Sequence, residues 1–182
     1  MRNEAECPGL WHWLQVITIG RRPKRTLARL VALVVICLIT FTFVLIPVRV
    51  TGISMEPTYH DHSVNFINRL AYVRREPQRG DVVGVRLSPN PGAGTKIMLL
   101  KRVVGLPGEA VSFVGGHVCI DGDVQTEPYL KHVSDWEAPP TSLGPGQYYV
   151  VGDNRSMRPE EHEHGKAERA QIVGRVLFTK GP

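Results

Sequence analysis

Two residues in this sequence could together carry out nucleophilic chemistry, Ser54 and Lys101. Ser54 lies in the segment GISMEPT, residues 52–58, between a long apolar run and the first predicted strand. Gly52 permits a close approach of the backbone and Pro57 restricts the chain that follows, so the segment can hold the hydroxyl in a fixed, exposed position. A serine hydroxyl needs a base beside it to act as a nucleophile. The segment alone therefore does not decide between a nucleophile and an ordinary turn serine.

Lys101 is the candidate base, in the segment IMLLKRVVGLPGE, residues 97–109. On a strand, alternate side chains share a face, so Lys101 is expected beside Leu99 and Val103, with Arg102 pointing the other way. An exposed lysine titrates near 10.4, and a base at neutral pH needs a pKa of about 7, which an apolar face can approach by excluding water. The pattern also fits a lysine whose ammonium reaches the domain edge, and taken alone it slightly favours that interpretation.

The elements that must position these two residues are short β-rich runs separated by Gly, Pro, Asn and Asp. The predicted strands are residues 64–67, 81–87, 97–104, 110–114, 117–120, 148–151 and 172–179. This spacing is typical of an antiparallel, mainly β domain. Gly115-Gly116 and Asp121-Gly122 predict tight turns. Residues 126–146, rich in Pro and Gly, predict a long surface excursion.

An apolar segment precedes this domain. Residues 27–46 read LARLVALVVICLITFTFVLI, and residues 30–46 carry no charge. Twenty helical residues span about 30 Å, the thickness of a bilayer's hydrocarbon core. The run is apolar on all faces, which favours a membrane span over a buried core helix. No A-x-A cleavage site follows it, so we expect a retained transmembrane anchor at residues 27–48.

The charge distribution predicts the orientation of the anchor. Of the formal net charge of +5, residues 1–29 hold +4, beside the apolar run. By the positive-inside rule, residues 1–26 are cytoplasmic and the β-rich domain, residues 49–182, is extracytoplasmic. Within the first segment, residues 10–19 are too short to span and are either interfacial or a disordered tail. A nucleic-acid binder would carry its basic patch on the folded domain, so nucleic acid is excluded as a partner.

Several segments of the chain, in this order, resemble one known family. They are SM with PT (residues 54–58), RGDVV (79–83), KRVVGLPGE (101–109) and GDNR (152–155), and the closing IVGRV (172–176) is also similar. Together they look like the ordered motifs of bacterial type I signal peptidases, over about residues 27–180. The resemblance implies a β-rich catalytic domain at the outer membrane face, with Ser54 as nucleophile and Lys101 as general base.

The resemblance also implies substrates and supporting residues. It implies an endopeptidase that cuts signal peptides from exported preproteins after small residues, with the bilayer and the export machinery as partners and no metal or cofactor. The backbone N–H of Ser54 is the expected oxyanion donor. Shallow apolar pockets for the substrate are expected from Ile53, Met55 and Leu99. The expected supporting residues are Arg102, Asp153, Asn154, Arg155, Ser156 and Glu160.

The sequence departs from the family pattern after GDNR, where the family usually has S-x-D-S-R. When the two segments are aligned without gaps, Arg158 occupies the position of that serine, Glu160 that of the aspartate and His162 that of the arginine. Ser156 could replace the serine after a local shift, and Glu160 with His162 could keep a pH-dependent ion pair. These departures leave open two alternatives: a specialised peptidase of the same clan for a single pilin or conjugation substrate, and a catalytically impaired, membrane-tethered binding protein.

Two H-x-H pairs, His60/His62 and His162/His164, could suggest a metal site. No cysteine or third histidine accompanies either pair at ligand spacing, so solvated loop histidines are the favoured interpretation. The three cysteines, Cys7, Cys37 and Cys119, are widely separated and provide neither a disulfide framework nor a zinc motif.

Overall fold

The computed structural model describes residues 23–86, 98–131 and 134–177. It contains an N-terminal helix, α1 (Pro23–Ile39), that continues as a π-helical turn (Thr40–Val44), and three 3-10 turns at Arg69–Tyr72, Pro159–Glu161 and Arg169–Gln171. The strands are β1 (Leu45–Arg49), β2 (Val64–Asn68), β3 (Val82–Arg86), β4 (Met98–Gly105), β5 (Ala110–Val114), β6 (His117–Ile120), β7 (Asp123–Val124), β8 (Ala138–Ser142), β9 (Gln147–Val151), β10 (Gly165–Glu168) and β11 (Ile172–Val176). The chain divides into two compact units, residues 1–42 and 43–182.

In the first unit, α1 is long and apolar enough to cross a membrane. The helical stretch Lys24–Val44 has 21 residues, about 31 Å at the rise of an α-helix. Its large apolar side chains are exposed along its length, as expected for a helix whose partner is lipid. Within the predicted anchor, residues 27–48, the helical stretch ends at Val44. The chain becomes strand β1 at Leu45, because Pro47 has no N–H for a helix and the segment pairs with β2.

The second unit contains a seven-stranded sheet with the order β1-β2-β11-β3-β4-β9-β10. All of its pairs are antiparallel. β4 lies inside this sheet, where Lys101 is opposite Val83 of β3 and Arg102 is opposite Val151 of β9. The last six residues of β4 are buried. The strand therefore holds two adjacent basic side chains, Lys101 and Arg102, inside the protein.

A four-stranded sheet, β7-β6-β5-β8, packs on the larger sheet through a shared apolar core. This core joins Val104 and Val151 of β4 and β9 to Phe113 and Val118 of β5 and β6, with Trp136 between them. The β5–β6 turn requires glycine: Gly116 has φ +78°, and a Cβ there would overlap the carbonyl of Ser134.

The structure confirms the predicted fold class, a mainly antiparallel β domain preceded by one N-terminal apolar helix. Each of the seven predicted strands overlaps an observed one, and β5 and β6 have the predicted bounds. The prediction missed β1, β7, β8 and β10. The surface excursion at residues 126–146 was wrong in part, because it contains β8 and contributes Trp136 and Leu143 to the core. Residues 10–19, 87, 97 and 178–179 of the predicted elements lie outside the described residues.

Candidate active site

The candidate nucleophile lies in a compact turn between β1 and β2. Gly52 begins this turn with φ +95° and donates its N–H to Asp61 Oδ1 at 2.9 Å. Met55, with 1% of its surface exposed, anchors the turn in a core cluster that includes Val82 and Leu100. The turn is thus fixed at both ends, and Ser54 remains half-buried between them.

The candidate base reaches Ser54 from β4. Lys101 Nζ lies 3.4 Å from Ser54 Oγ, at the long end of hydrogen-bond distance. Only 2% of the lysine surface is exposed. Burial lowers its pKa from the ordinary lysine value to about 8, and the carboxylates of Glu163 and Asp153 partly oppose this effect. With that pKa, about a tenth of the amine is uncharged at pH 7 and about half at pH 8.

Beside Lys101, Arg102 forms a buried ion pair with Asp153. Its Nε and Nη2 donate to the two carboxylate oxygens at 2.8 and 2.5 Å, a bidentate arrangement. Asp153 Oδ2 also accepts the Thr58 hydroxyl at 2.5 Å, and Arg102 Nη1 donates to the Gly80 carbonyl at 2.8 Å. The ring of Tyr129 covers the guanidinium, 3.8 Å from its centroid. This cluster ties β4, the nucleophile turn and the GDNR loop together.

Asn154 fixes the backbone around the nucleophile. Its N–H donates to the Ser54 carbonyl and its Nδ2 to the Ile53 carbonyl, both at 3.0 Å. With both carbonyls held, the peptide plane that carries the Ser54 N–H is fixed. Within the described chain, that N–H donates to no protein acceptor. It is therefore free to donate to an incoming oxygen.

Arg155 secures the other side of the same loop. With 1% of its surface exposed, it donates to the Gly152 carbonyl at 2.9 Å and to both carboxylate oxygens of Glu127 at 3.2 and 2.6 Å. Glu127 lies in the chain between β7 and β8. Arg155 therefore links the GDNR loop, residues 152–155, to the chain segment that connects β7 with β8.

Of the three expected pocket residues, the structure leaves two accessible. Ile53, beside Ser54, is 48% exposed, and Leu99, two residues before Lys101 on β4, is half-buried. Met55 is buried beneath the turn, so it supports the nucleophile and does not offer a surface to a substrate. A separate cavity of about 250 Å³ lies on the loop side and is lined by Glu56, Pro57, His60, Lys131, Asp153, Asn154, Arg155 and Ser156. Neither Ser54 nor Lys101 lines it.

The structure does not bring Ser156 or Glu160 to Lys101. The Ser156 hydroxyl donates to Asn154 Oδ1 at 2.6 Å, and Ser156 is exposed. Glu160 is exposed in the turn Pro159–Glu161, and Arg158 points to solvent beside Glu161. The suggested ion pair between Glu160 and His162 is not formed in the described chain.

His162 is the residue at this site that sequence reasoning misplaced. His60 and His62 are exposed, as the solvated-loop interpretation expects, but His162 is 2% exposed and that interpretation was wrong for it. Its ring packs edge-on against Trp136, with centroids 5.1 Å apart. The tryptophan comes from a segment predicted to lie at the surface, so no local sequence signal pointed to this contact.

Comparison with known proteins places this chain in a family. The family model for signal peptidase, peptidase S26, matches residues 24–180. A probable signal peptidase I-2 of Synechocystis is 31% identical over 144 residues, which cover 78% of this chain and 65% of that protein. Signal peptidase IB of Staphylococcus aureus is 31% identical over 166 residues, 81% of this chain and 84% of that protein. A crystal structure of signal peptidase I from Enterococcus faecalis shows 27% identity and a TM-score of 0.42, covering 57% of this chain and 98% of that chain.

These matches define the class: the matching family and relatives are signal peptidases. The chain belongs to the signal peptidase family, peptidase S26, because the family model covers nearly all of it from residue 24 onward. The resemblance stated from the sequence motifs is thus confirmed. The chain spans just under two thirds of the length of the Synechocystis relative.

Removing the Asp153 carboxylate tests the cluster that holds the site. In Asp153→Ala the Arg102 guanidinium stays buried without its partner, and we expect the free energy of unfolding to fall by about 3–5 kcal/mol. The matched control is Asp123→Ala, an exposed aspartate of β7, with an expected change within about 0.5 kcal/mol. Denaturant unfolding of the detergent-solubilised chain measures both. Similar losses in the two variants would contradict the role given to the ion pair.

Proposed function

We propose that this protein is a membrane-anchored serine endopeptidase that removes signal peptides from exported preproteins, with Ser54 as nucleophile and Lys101 as general base. The observation that carries the proposal is the 3.4 Å approach of Lys101 Nζ to Ser54 Oγ inside a site that excludes water. A lysine becomes a base when burial disfavours its charged form. Family membership supports the substrate class, since the relatives are signal peptidases.

The reaction proceeds by acyl transfer. Neutral Lys101 takes the Ser54 proton as Oγ attacks the scissile carbonyl carbon, and a C–O bond forms. The resulting ammonium gives its proton to the departing amine as the C–N bond breaks, which leaves the signal peptide as an ester on Ser54. Lys101 then deprotonates a water that attacks this ester, and Ser54 recovers its proton. The net change is hydrolysis of one peptide bond.

The Ser54 N–H stabilises the oxyanion in both steps. The clamp from Asn154 holds the flanking carbonyls, so this donor is pre-positioned and needs little reorganisation when negative charge develops. Mutational losses for a single oxyanion donor are about 10²- to 10³-fold in other serine peptidases. Pre-organisation by the GDNR loop is therefore a large part of the proposed activity.

Substrate choice follows from the surface beside the nucleophile. Ile53 and Leu99 flank the Ser54–Lys101 pair and offer shallow apolar contacts. Such contacts suit small side chains at the first and third positions before the cut, the A-x-A pattern. Large side chains at these positions would hold the scissile carbonyl away from Oγ.

Membrane anchoring by α1 brings the enzyme to its substrates. The helical stretch Lys24–Val44 matches the bilayer core, and the basic residues before it favour a cytoplasmic N-terminus. In this orientation the peptidase domain is extracytoplasmic, where signal peptides emerge from the export machinery. The bilayer and that machinery are the proposed partners.

One observation favours the two alternatives that the sequence leaves open. They are a catalytically impaired binding protein and a specialised peptidase of the same clan. Arg158 is exposed and Ser156 donates to Asn154, so within the described chain no hydroxyl other than that of Ser54 contacts Lys101. Cleavage of a generic A-x-A preprotein would exclude the impaired protein. Cleavage limited to one pilin-like substrate would select the specialised enzyme.

Substituting the two candidate residues tests the main proposal. We expect Ser54→Ala and Lys101→Ala each to lower kcat/KM on a preprotein with A-x-A by more than about 10³-fold, because each removes one half of the proton transfer. Ser142→Ala and Lys166→Ala, exposed residues of β8 and β10, are the controls and should stay within about twofold. The assay is gel-based cleavage by the detergent-solubilised chain. Full activity in either site variant would rule out the assigned pair.

The pH dependence of activity tests the state of Lys101. Because the base must be uncharged and burial lowers its pKa to about 8, kcat/KM should rise about tenfold per pH unit below that value and level off above it. The sign follows from the amine losing its proton as pH increases. Initial rates between pH 6 and about 10 on one substrate give the profile. A profile already flat at pH 6.5 would contradict the assignment.

A further inference from the structure

His162 is a buried polar residue that the proposed mechanism does not use. Only 2% of its surface is exposed, and Trp136 packs edge-on against its ring. In the described chain neither ring nitrogen has a hydrogen-bond partner, whereas the ring of His164, two residues on, bonds the Tyr149 hydroxyl through Nδ1 at 2.9 Å. A buried polar group left unpaired costs about 1–3 kcal/mol, so an imidazole kept at this position requires an explanation.

The Nε2 edge of the ring lies beside the backbone carbonyl of the candidate nucleophile. A Cβ built on Gly152 would be 2.6 Å from both Nε2 and Cε1 of His162, and 2.2 Å from the Ser54 carbonyl oxygen. The three atoms therefore crowd around one point, and only glycine at position 152 lets the ring and the carbonyl come so near. The Ser54 carbonyl is thus a backbone acceptor at close range to an unpartnered ring nitrogen.

The charge state of the ring suits a hydrogen-bond donor. Burial is the main cause that lowers the pKa of His162 to about 3, and the positive charges of Lys101, His164 and Arg155 lower it further. The contact with the Ser54 backbone acts in the opposite direction, as expected where a carbonyl oxygen faces a ring N–H. The ring is therefore neutral wherever Lys101 titrates. A neutral imidazole carries one N–H and one bare nitrogen, and a facing carbonyl favours the proton on Nε2.

The Ser54 carbonyl has room for a second donor. It already accepts the Asn154 N–H at 3.0 Å, and a carbonyl oxygen has two lone pairs. One donor leaves the peptide plane free to rock about that bond, whereas two donors from different directions fix it. Asn154 Nδ2 holds the preceding carbonyl, that of Ile53. With both peptide planes fixed, the direction of the Ser54 Cα–Cβ bond is fixed too, and this direction sets where Oγ lies relative to Lys101 Nζ.

We propose that His162 is a positioning residue that acts on the backbone of the nucleophile: Nε2–H of its neutral ring donates to the Ser54 carbonyl, as a second donor beside the Asn154 N–H. The inference rests on the proposed function, since it assigns how that nucleophile is held. Hydrogen bonds at catalytic sites are often long or poorly aligned without substrate and tighten in the complex. This accounts for a ring nitrogen that is close to the carbonyl but not yet hydrogen-bonded in the substrate-free chain.

The kinetic test compares two variants at position 162. His162→Phe keeps the ring volume without a donor, and His162→Gln restores an N–H. We expect His162→Phe to lower kcat on an A-x-A preprotein about 10- to 100-fold with KM unchanged, because a small displacement of Oγ slows the attack and the buried ring does not contact substrate. His162→Gln should recover most of the rate. His164→Phe, in the same aromatic cluster, is the matched control and should stay within about threefold of wild type.

NMR of the imidazole tests the donor without substrate. In the detergent-solubilised full chain with ¹⁵N-labelled histidine, long-range proton–nitrogen spectra distinguish a protonated ring nitrogen from a bare one. The His162 signals are those missing from His162→Phe. We expect the proton on Nε2 at neutral pH. A proton on Nδ1 would overturn the inference, because Nε2 would then have nothing to donate to the Ser54 carbonyl.

The outcomes separate this inference from the proposed function. If the wild-type chain cleaves, and the Ser54 and Lys101 variants do not, an unchanged kcat in His162→Phe overturns the positioning role alone. A rate loss that accompanies a lower Tm, with no recovery in His162→Gln, also overturns it, because that result indicates packing only. If the wild-type chain does not cleave, the proposed function itself fails, and the position of the ring proton still decides whether Nε2 can donate to the carbonyl.

Discussion

The site depends on the exclusion of water from one amine. At 2% exposure, Lys101 loses the hydration that stabilises an ammonium, and its pKa falls to about 8. Relative to an ordinary lysine this disfavours the charged form by about 3 kcal/mol. Two carboxylates, Glu163 and Asp153, act against it, so the low pKa requires that desolvation outweigh nearby negative charge. Interior strand β4 provides that desolvation, because sheet neighbours lie on both sides.

The second requirement is that the Lys101 amine and the Ser54 hydroxyl keep their relative positions. The Arg102–Asp153 ion pair meets this requirement. Asp153 neutralises the adjacent cation on β4, and it also binds Thr58 of the nucleophile turn. The same loop contributes Asn154, which holds the Ser54 and Ile53 carbonyls. One loop therefore satisfies the buried charge next to the candidate base and fixes the backbone next to the candidate nucleophile. A charge buried without such partners would destabilise the fold.

The sequence predicted those parts of the structure that depend on local pattern. β5 and β6 are short runs of mostly apolar, β-favouring residues bounded by glycine turns, and their bounds were predictable. β8 was not, because its segment APPTS has two prolines and pairs with β5 only through tertiary context. β1 could not be distinguished from the apolar run that precedes it, because an apolar strand and a membrane helix have similar composition. The environment of His162 depends on Trp136, 26 positions away, and no local pattern encodes that contact.

The protonation of Lys101 in the folded chain is the central claim, and NMR can measure it without substrate. In the detergent-solubilised full chain with ¹³C-labelled lysine, the Cε resonance missing from Lys101→Arg is followed as a function of pH. The account predicts a midpoint near 8 for this resonance, while exposed lysines titrate near 10.4. A midpoint for Lys101 that coincides with those of the exposed lysines would contradict it.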